Sequence, residues 1–130
     1  MSEIGIKDQC FGVEVEMTGI TRRQAAEALA EYFGTSVHYC GTYYDTWGVT
    51  DPEGKEWKLM SDSSITAEQK TASRYIPASG MRSGEYQVEM VTPKLTYAEL
   101  PKLQECVRRV KKAGAKVNKS CGIHVHVDAS

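Results

Sequence analysis

The sequence has no excess of either charge: 16 Lys and Arg stand against 17 Asp and Glu, a net charge of -1 over 130 residues. That balance supplies no strong field to draw the chain onto nucleic acid or an anionic membrane. Long apolar runs are also missing; the purely apolar stretches are only a few residues, too short to span a bilayer. The opening Met-Ser-Glu-Ile-Gly-Ile-Lys-Asp has neither the basic nor the apolar stretch of a secretory signal. The four cysteines (Cys10, Cys40, Cys106, Cys121) are scattered and form no CxxC pair. They read as free thiols in a reducing cytoplasm rather than as a disulfide frame. What is present is material for one ordinary core, with 41% apolar and 25% charged residues. The length suits a single domain over residues 1–130.

Residues 10–17 alternate: Phe11, Val13, Val15 and Met17 point one way, Gly12, Glu14 and Glu16 the other. This is the period of a half-buried strand. Thr21 then opens a helix, with Gln24 placed to complete a capping box and Gly34 to end it. Ala25, Ala28, Leu29 and Tyr32 form its apolar stripe. Short strands are predicted near 36–41, 45–50 and 55–60, the last two joined by the turn Asp51-Pro52-Glu53-Gly54. Ser61 to Ser83 is rich in small and polar residues and reads as a long loop, of the kind used for lids. Alternation returns from Glu85 to Val91, with Tyr86, Val88 and Met90 opposite Glu85, Gln87 and Glu89. A second helix carries Leu103, Val107 and Val110 inward and ends at Gly114. Its start has two competing signals: a Thr96–Glu99 capping box and a first-turn Pro101. A last strand, Gly122 to Asp128, sets Ile123, Val125 and Val127 against His124, His126 and Asp128. The class is therefore α+β: a mainly antiparallel sheet of five or six strands with two helices on its apolar face.

The opposite face would then carry Glu14, Glu16, Glu89, His124 and His126. Two glutamates at spacing two repel each other, and glutamate is a poor strand former. A cation such as Mg²⁺, which prefers hard oxygen ligands, would relieve that repulsion. A His-x-His pair on a strand suits Zn²⁺, phosphate oxygens or simply water. Asp62, in Met60-Ser61-Asp62-Ser63-Ser64, is also ordinary turn chemistry. The joint pattern carries more weight than any member. Three strands from distant parts of the chain each set acid or imidazole opposite an apolar face.

The segments Phe11-Gly12-Val13-Glu14-Val15-Glu16, Trp57-Lys58-Leu59-Met60-Ser61-Asp62-Ser63-Ser64-Ile65, Glu89-Met90-Val91-Thr92-Pro93 and Cys121-Gly122-Ile123-His124-Val125-His126-Val127-Asp128 occur in the order and rough spacing of the amidoligases. By this resemblance the chain is similar to the carboxylate–amine ligase superfamily, and through it to glutamine synthetase and glutamate–cysteine ligase. The resemblance implies ATP-dependent formation of an amide or peptide bond through an acyl phosphate, on a curved antiparallel sheet. It implies Glu14, Glu16 and Glu89 as ligands of Mg²⁺ bound to ATP. His124 and His126 would approach nucleotide phosphate or metal. Asp62 would sit near the substrate pocket, with Asp62 and Glu89 as catalytic groups. Lys70, Arg74 or Arg82 in the long loop would offer positive charge, Arg74 toward the cofactor. Cofactors would be ATP and Mg²⁺, and substrates a small carboxylate and an amine, or a peptide.

Members of the family continue well beyond the His-x-His strand. The chain is accordingly expected to be the N-terminal part of a longer catalytic domain, or a reduced relative whose open sheet edge a second copy fills as a homodimer. Two rival readings stand beside it. One is a non-catalytic binding or interaction domain on the same fold. The other is a zinc-dependent hydrolase built on the His-x-His pair, with Cys121 and His38 adding ligands; a structural zinc site of Cys40, Cys121 and histidines lacks close ligand spacing.

Overall fold

A strand of strict alternation followed by a capped helix starts the chain, and the other elements assemble around that pair. The computed structural model describes residues 9–80 and 83–128. Its elements are β1 (Cys10–Met17), α1 (Arg22–Phe33), β2 (Val37–Gly41), β3 (Thr46–Thr50), β4 (Glu56–Met60), β5 (Glu68–Thr71), β6 (Arg74–Pro77), β7 (Val88–Val91), β8 (Leu95–Thr96), α2 (Leu100–Lys112) and β9 (Ile123–Asp128). Short 3₁₀ turns, Ser83–Tyr86 and Tyr97–Glu99, precede β7 and α2.

The main sheet runs β2-β3-β4-β7-β1, and every pairing in it is antiparallel. β8 pairs with the start of β1, and β9 pairs along β1 from Cys10 to Val15. Among the described residues β9 and β2 are thus the open edges. One face is the core. Val13, Val15, Met17, Val49, Trp57, Leu59, Val88, Met90 and Leu95 are buried there under Ala25, Ala26, Leu29 and Phe33 of α1 and Leu103, Cys106 and Val110 of α2. Phe33 and Trp57 meet with ring centroids 5.5 Å apart. The architecture is the α+β arrangement that the alternation implies.

The helix starts follow local chemistry. Thr21 Oγ1 accepts from the Gln24 N–H at 3.1 Å, and the Thr21 N–H donates to Gln24 Oε1 at 2.9 Å. Gly34 ends α1 in the left-handed region at φ 71°, where a side chain would strain. Both signals near α2 are used. The Thr96–Glu99 box caps the 3₁₀ turn, and Pro101 takes the first turn of α2 behind it.

A buried ionic lock ties the β3–β4 turn to α2. The Asp51 side chain is fully buried; Oδ2 accepts from Trp57 Nε1 at 3.0 Å and Lys102 Nζ at 3.2 Å. Its Oδ1 accepts the backbone N–H groups of Glu53 and Lys55 at 3.0 and 2.9 Å, holding the turn. Lys102 also contacts Glu53 and Glu99, and Lys55 pairs with Glu99 at 2.7 Å. The carboxylates of Asp51, Glu53 and Glu99 converge within 4.8 Å of one another, and the Lys102 ammonium, bonded to all three, supplies their counter-charge.

Three expectations change. The Ser61–Ser83 stretch is not a plain loop, because β5 and β6 form a hairpin within it. β5 (Glu-Gln-Lys-Thr) is polar throughout and β6 (Arg-Tyr-Ile-Pro) sets Tyr75 and Ile76 on opposite faces, so no alternation announces them. The hairpin is tied down: Thr18 Oγ1 accepts from the Glu68 N–H at 2.8 Å, and Tyr75 Oη donates to the Gly114 carbonyl at 2.8 Å. The strand predicted from Glu85 starts only at Val88. The buried Arg22 guanidinium takes the Gly84 and Gln87 carbonyls at 2.8 Å each, bending Ser83–Tyr86 into a 3₁₀ turn. Finally, the helices stop short of β9. Ile123, Val125 and Val127 point to the core side yet stay 66%, 58% and 66% exposed.

Candidate functional site: a carboxylate cluster on the open face

The face of the sheet opposite the helices is where the alternation sends its acids. On β1, Glu14 and Glu16 share this face. Glu16 stands opposite Glu89 of β7, and Glu14 opposite His124 of β9. Met60, at the end of β4, is also opposite Glu89, so the chain delivers Asp62 to the same place two residues later. Carboxylate oxygens of Glu16, Asp62 and Glu89 lie within 4.8 Å of one another. Glu14 approaches Glu89 from beside this triad, and its Oε2 lies 3.2 Å from His126 Nε2.

Each member is held by its surroundings. Glu16 Oε1 accepts the Gly122 N–H at 2.7 Å. A Cβ at Gly122 would stand 3.5 Å from Glu16 Oε1 and 3.4 Å from His124 Nε2, so acid and imidazole close on a position with no side chain. Asp62 Oδ1 accepts from Ser64 N and Oγ at 2.9 and 2.6 Å. Those bonds hold the Asp62 carboxyl below its ordinary value. Burial pushes Glu16 the other way, with a hydrogen bond shared with Asp62. Glu89 is pushed up to about 7, first by burial and then by the charges of Glu14, Asp62 and Glu16 around it. Carboxylates this close cannot all be ionised without a counter-charge.

The set fits a hard divalent cation. With Mg²⁺–oxygen distances of about 2.0–2.1 Å, ligand oxygens in an octahedron lie about 3 Å apart when adjacent and about 4 Å apart when opposed. The three donors are all carboxylate oxygens and lie within 4.8 Å of one another, so small side-chain adjustments would bring them to one ion. Beside the cluster, an open depression of about 510 Å³ is lined by Tyr43, Tyr44, Met60, Ser61, Asp62, Ser63 and Glu89. Tyr43 and Tyr44 come from the β2–β3 turn, held over the site by the Ser61 N–H donating to the Tyr44 carbonyl at 3.0 Å. Sequence reasoning missed both. The signal available was the Tyr43-Tyr44-Asp45 run between two predicted strands; in the structure Tyr43 is 95% exposed.

The other sequence-predicted residues are placed as follows. His124 lies close enough to Glu16 and Asp62 to favour their charged forms. His126 faces Glu14; both imidazoles are exposed. Arg74 is exposed at the turn end of the β5–β6 hairpin, and among the described residues no ion pair joins it to the cluster. The hairpin's Tyr75 lines a cavity with Val15, Met17, Val107 and Val110, on the helix side. Lys70 faces that Tyr75 ring at 6.0 Å, and Arg82 lies outside the described residues. A cation that the sequence reading passed over does share the open face: Lys58 on β4, opposite Val91, which in turn is opposite Glu14.

A one-layer antiparallel sheet with helices behind and converging carboxylates in front defines the class: an α+β domain with an acid-lined open face. The particular family follows from the whole chain. Residues 7–130 match the family described as "Putative amidoligase enzyme", and the chain belongs to it. Its function is thus of the ligase type. No curated protein and no solved structure matches it. Among the described residues no helix is long and apolar enough to cross a membrane.

Proposed function

We propose that the open face binds Mg²⁺ and ATP and serves ATP-dependent amide-bond formation, as in the carboxylate–amine ligases related to glutamine synthetase. The observation that carries this reading is the convergence of Glu16, Asp62 and Glu89 from three separate parts of the chain. Glu14, Glu16 and Glu89 would hold the metal, with Asp62 on its substrate side. The ion supplies neutralisation of phosphate charge while a γ-phosphoryl group passes to a carboxylate.

The chain's own groups then have definite tasks. His124 and His126 offer N–H donors to phosphate oxygens from the β9 side, and Lys58 offers charge from the β4 side. Asp62, kept ionised by Ser64, faces the depression and attracts an ammonium substrate to the acyl phosphate. Tyr43, Tyr44 and Met60 wall that depression with apolar surface, which slows competing hydrolysis by water. A second copy pairing edge to edge along β9 would extend the sheet as a homodimer and cover Ile123, Val125 and Val127.

The test is direct. ATP with Mg²⁺ should raise the melting temperature of the chain, and neither alone should do as much. Glu16→Gln should abolish the increment while leaving a cooperative transition. If nucleotide and Mg²⁺ leave the melt of folded protein unmoved, the reading is wrong for this chain.

A further inference from the structure

The same open face carries a second group of ligating side chains, at its other edge. His38 and Cys40 lie on β2, Glu56 lies on β4, and Gly48 of β3 runs between them. Glu56 Oε1 stands 3.4 Å from His38 Nε2 and 3.6 Å from Cys40 Sγ. All three donor atoms fall within 4.8 Å of one another, and all three residues are exposed.

Position 48 makes the convergence possible. A Cβ there would stand 2.4 Å from His38 Nε2 and 2.7 Å from Glu56 Oε1, closer than real atoms approach. The backbone at Gly48 is not in the left-handed region, so the glycine serves space rather than conformation. The space it leaves is where imidazole and carboxylate come together.

The distances suit one coordination chemistry. With Zn–N and Zn–O of about 2.0–2.1 Å and Zn–S of about 2.3 Å, a tetrahedron sets N and O about 3.3–3.4 Å apart and S and O about 3.5–3.6 Å apart. The observed pair distances match both. One nitrogen, one sulfur and one oxygen donor also differ in kind from the all-oxygen cluster around Glu16. Thiolate and imidazole select a borderline-soft ion over Mg²⁺.

We propose that His38, Cys40 and Glu56 form a separate metal site that takes Zn²⁺ through His38 Nε2, the Cys40 thiolate and Glu56 Oε1, with water in the fourth position. As the Zn–S bond forms, the thiol proton leaves to solvent. Cys121 takes no part, its sulfur lying 3.6 Å from Asn118 Oδ1 in the loop before β9. The site does not depend on the ligase reading.

The test uses the full chain, reduced and stripped of metal, titrated with Zn²⁺ against a chromophoric chelator and separately with Co²⁺ as an optical probe. One equivalent of Zn²⁺ should bind. Cys40→Ser and His38→Ala should each weaken it about tenfold or more, and the Co²⁺–thiolate charge-transfer band should vanish in Cys40→Ser but persist in Cys121→Ser. Gly48→Ala should also weaken binding, although it removes no donor, while Glu16→Gln should leave it unchanged. Circular dichroism melts establish that each variant is folded. Absence of stoichiometric Zn²⁺ binding overturns the proposal. So does binding that Cys40→Ser and Gly48→Ala leave intact, or a band that follows Cys121.

Discussion

Replacing Glu89 with glutamine isolates the electrostatics of the carboxylate cluster. In the folded chain Glu89 is raised from 4.5 to about 7 by burial and by three neighbouring acids. A carboxyl held up in the native state binds its proton more tightly there than in the unfolded chain. The resulting stabilisation is complete below about pH 4.5 and drains away as pH rises toward 7. At face value the gap corresponds to about 3 kcal/mol. The site is open to solvent on one side, which screens the repulsion, so about 1–2 kcal/mol is the expected effect. Glutamine keeps the shape and stays neutral throughout. Glu89→Gln and the unmodified chain should therefore melt together near pH 4.5 and separate as pH rises. At pH 8 the variant should melt higher by roughly 3–8 °C. Histidines and the other acids titrate in both proteins, so the difference between two melting curves reports Glu89. Millimolar Mg²⁺ at pH 8 should raise the unmodified chain and close much of the gap. A variant that melts lower at pH 8, or a gap that does not grow with pH, would refute the reasoning.

Removing the cation from the Asp51 lock by Lys102→Met should cost about 3–5 kcal/mol in denaturant unfolding, since a fully buried carboxylate loses its ammonium partner. In the unmodified chain Glu99 is held down at about 2, burial opposing but Lys55, Thr96 and Lys102 prevailing. Its contribution is therefore present above pH 4.5 and lost only as pH falls toward 2, which acid titration of the melt of Glu99→Gln against the unmodified chain will register. Trp57→Phe keeps an aromatic ring against Phe33 but takes a donor from Asp51, and a loss of about 1–3 kcal/mol by chemical denaturation is expected. Thr21→Ala removes the α1 cap and should lower stability by about 1 kcal/mol, seen as a small drop in melting temperature without loss of cooperativity.

The parts of the fold that were legible in the sequence are those where one strand or helix carries its own signal. β1 alternates because one face is buried and the other is not, and Thr21 and Gln24 form a box within four residues. The opposition of Glu14 and Glu16 to Val13 and Val15 gave the open face directly. Three features escaped because their causes lie elsewhere in the chain. The β5–β6 hairpin has no buried face of its own and is held by Thr18 and Gly114. The start of β7 is decided by Arg22, more than sixty positions away in sequence from Gln87. Ile123, Val125 and Val127 alternate as a core strand would, and only the placement of the helices shows that, among the described residues, they are left exposed. In the site, His38 and Glu56 are far apart in sequence, and a glycine between them in space announces nothing by itself.

Because there is a single sheet layer, β1 serves two masters with adjacent residues: Val13 and Val15 hold the helices while Glu14 and Glu16 stand on the open face. Inserting or deleting one residue in Cys10–Met17 would turn every side chain over, sending acids under the helices and valines to the front. A length change there would break the core and the carboxylate cluster together. The turns at 42–45 and 61–64 border the depression without entering the core, so changes of length or residue there escape that penalty.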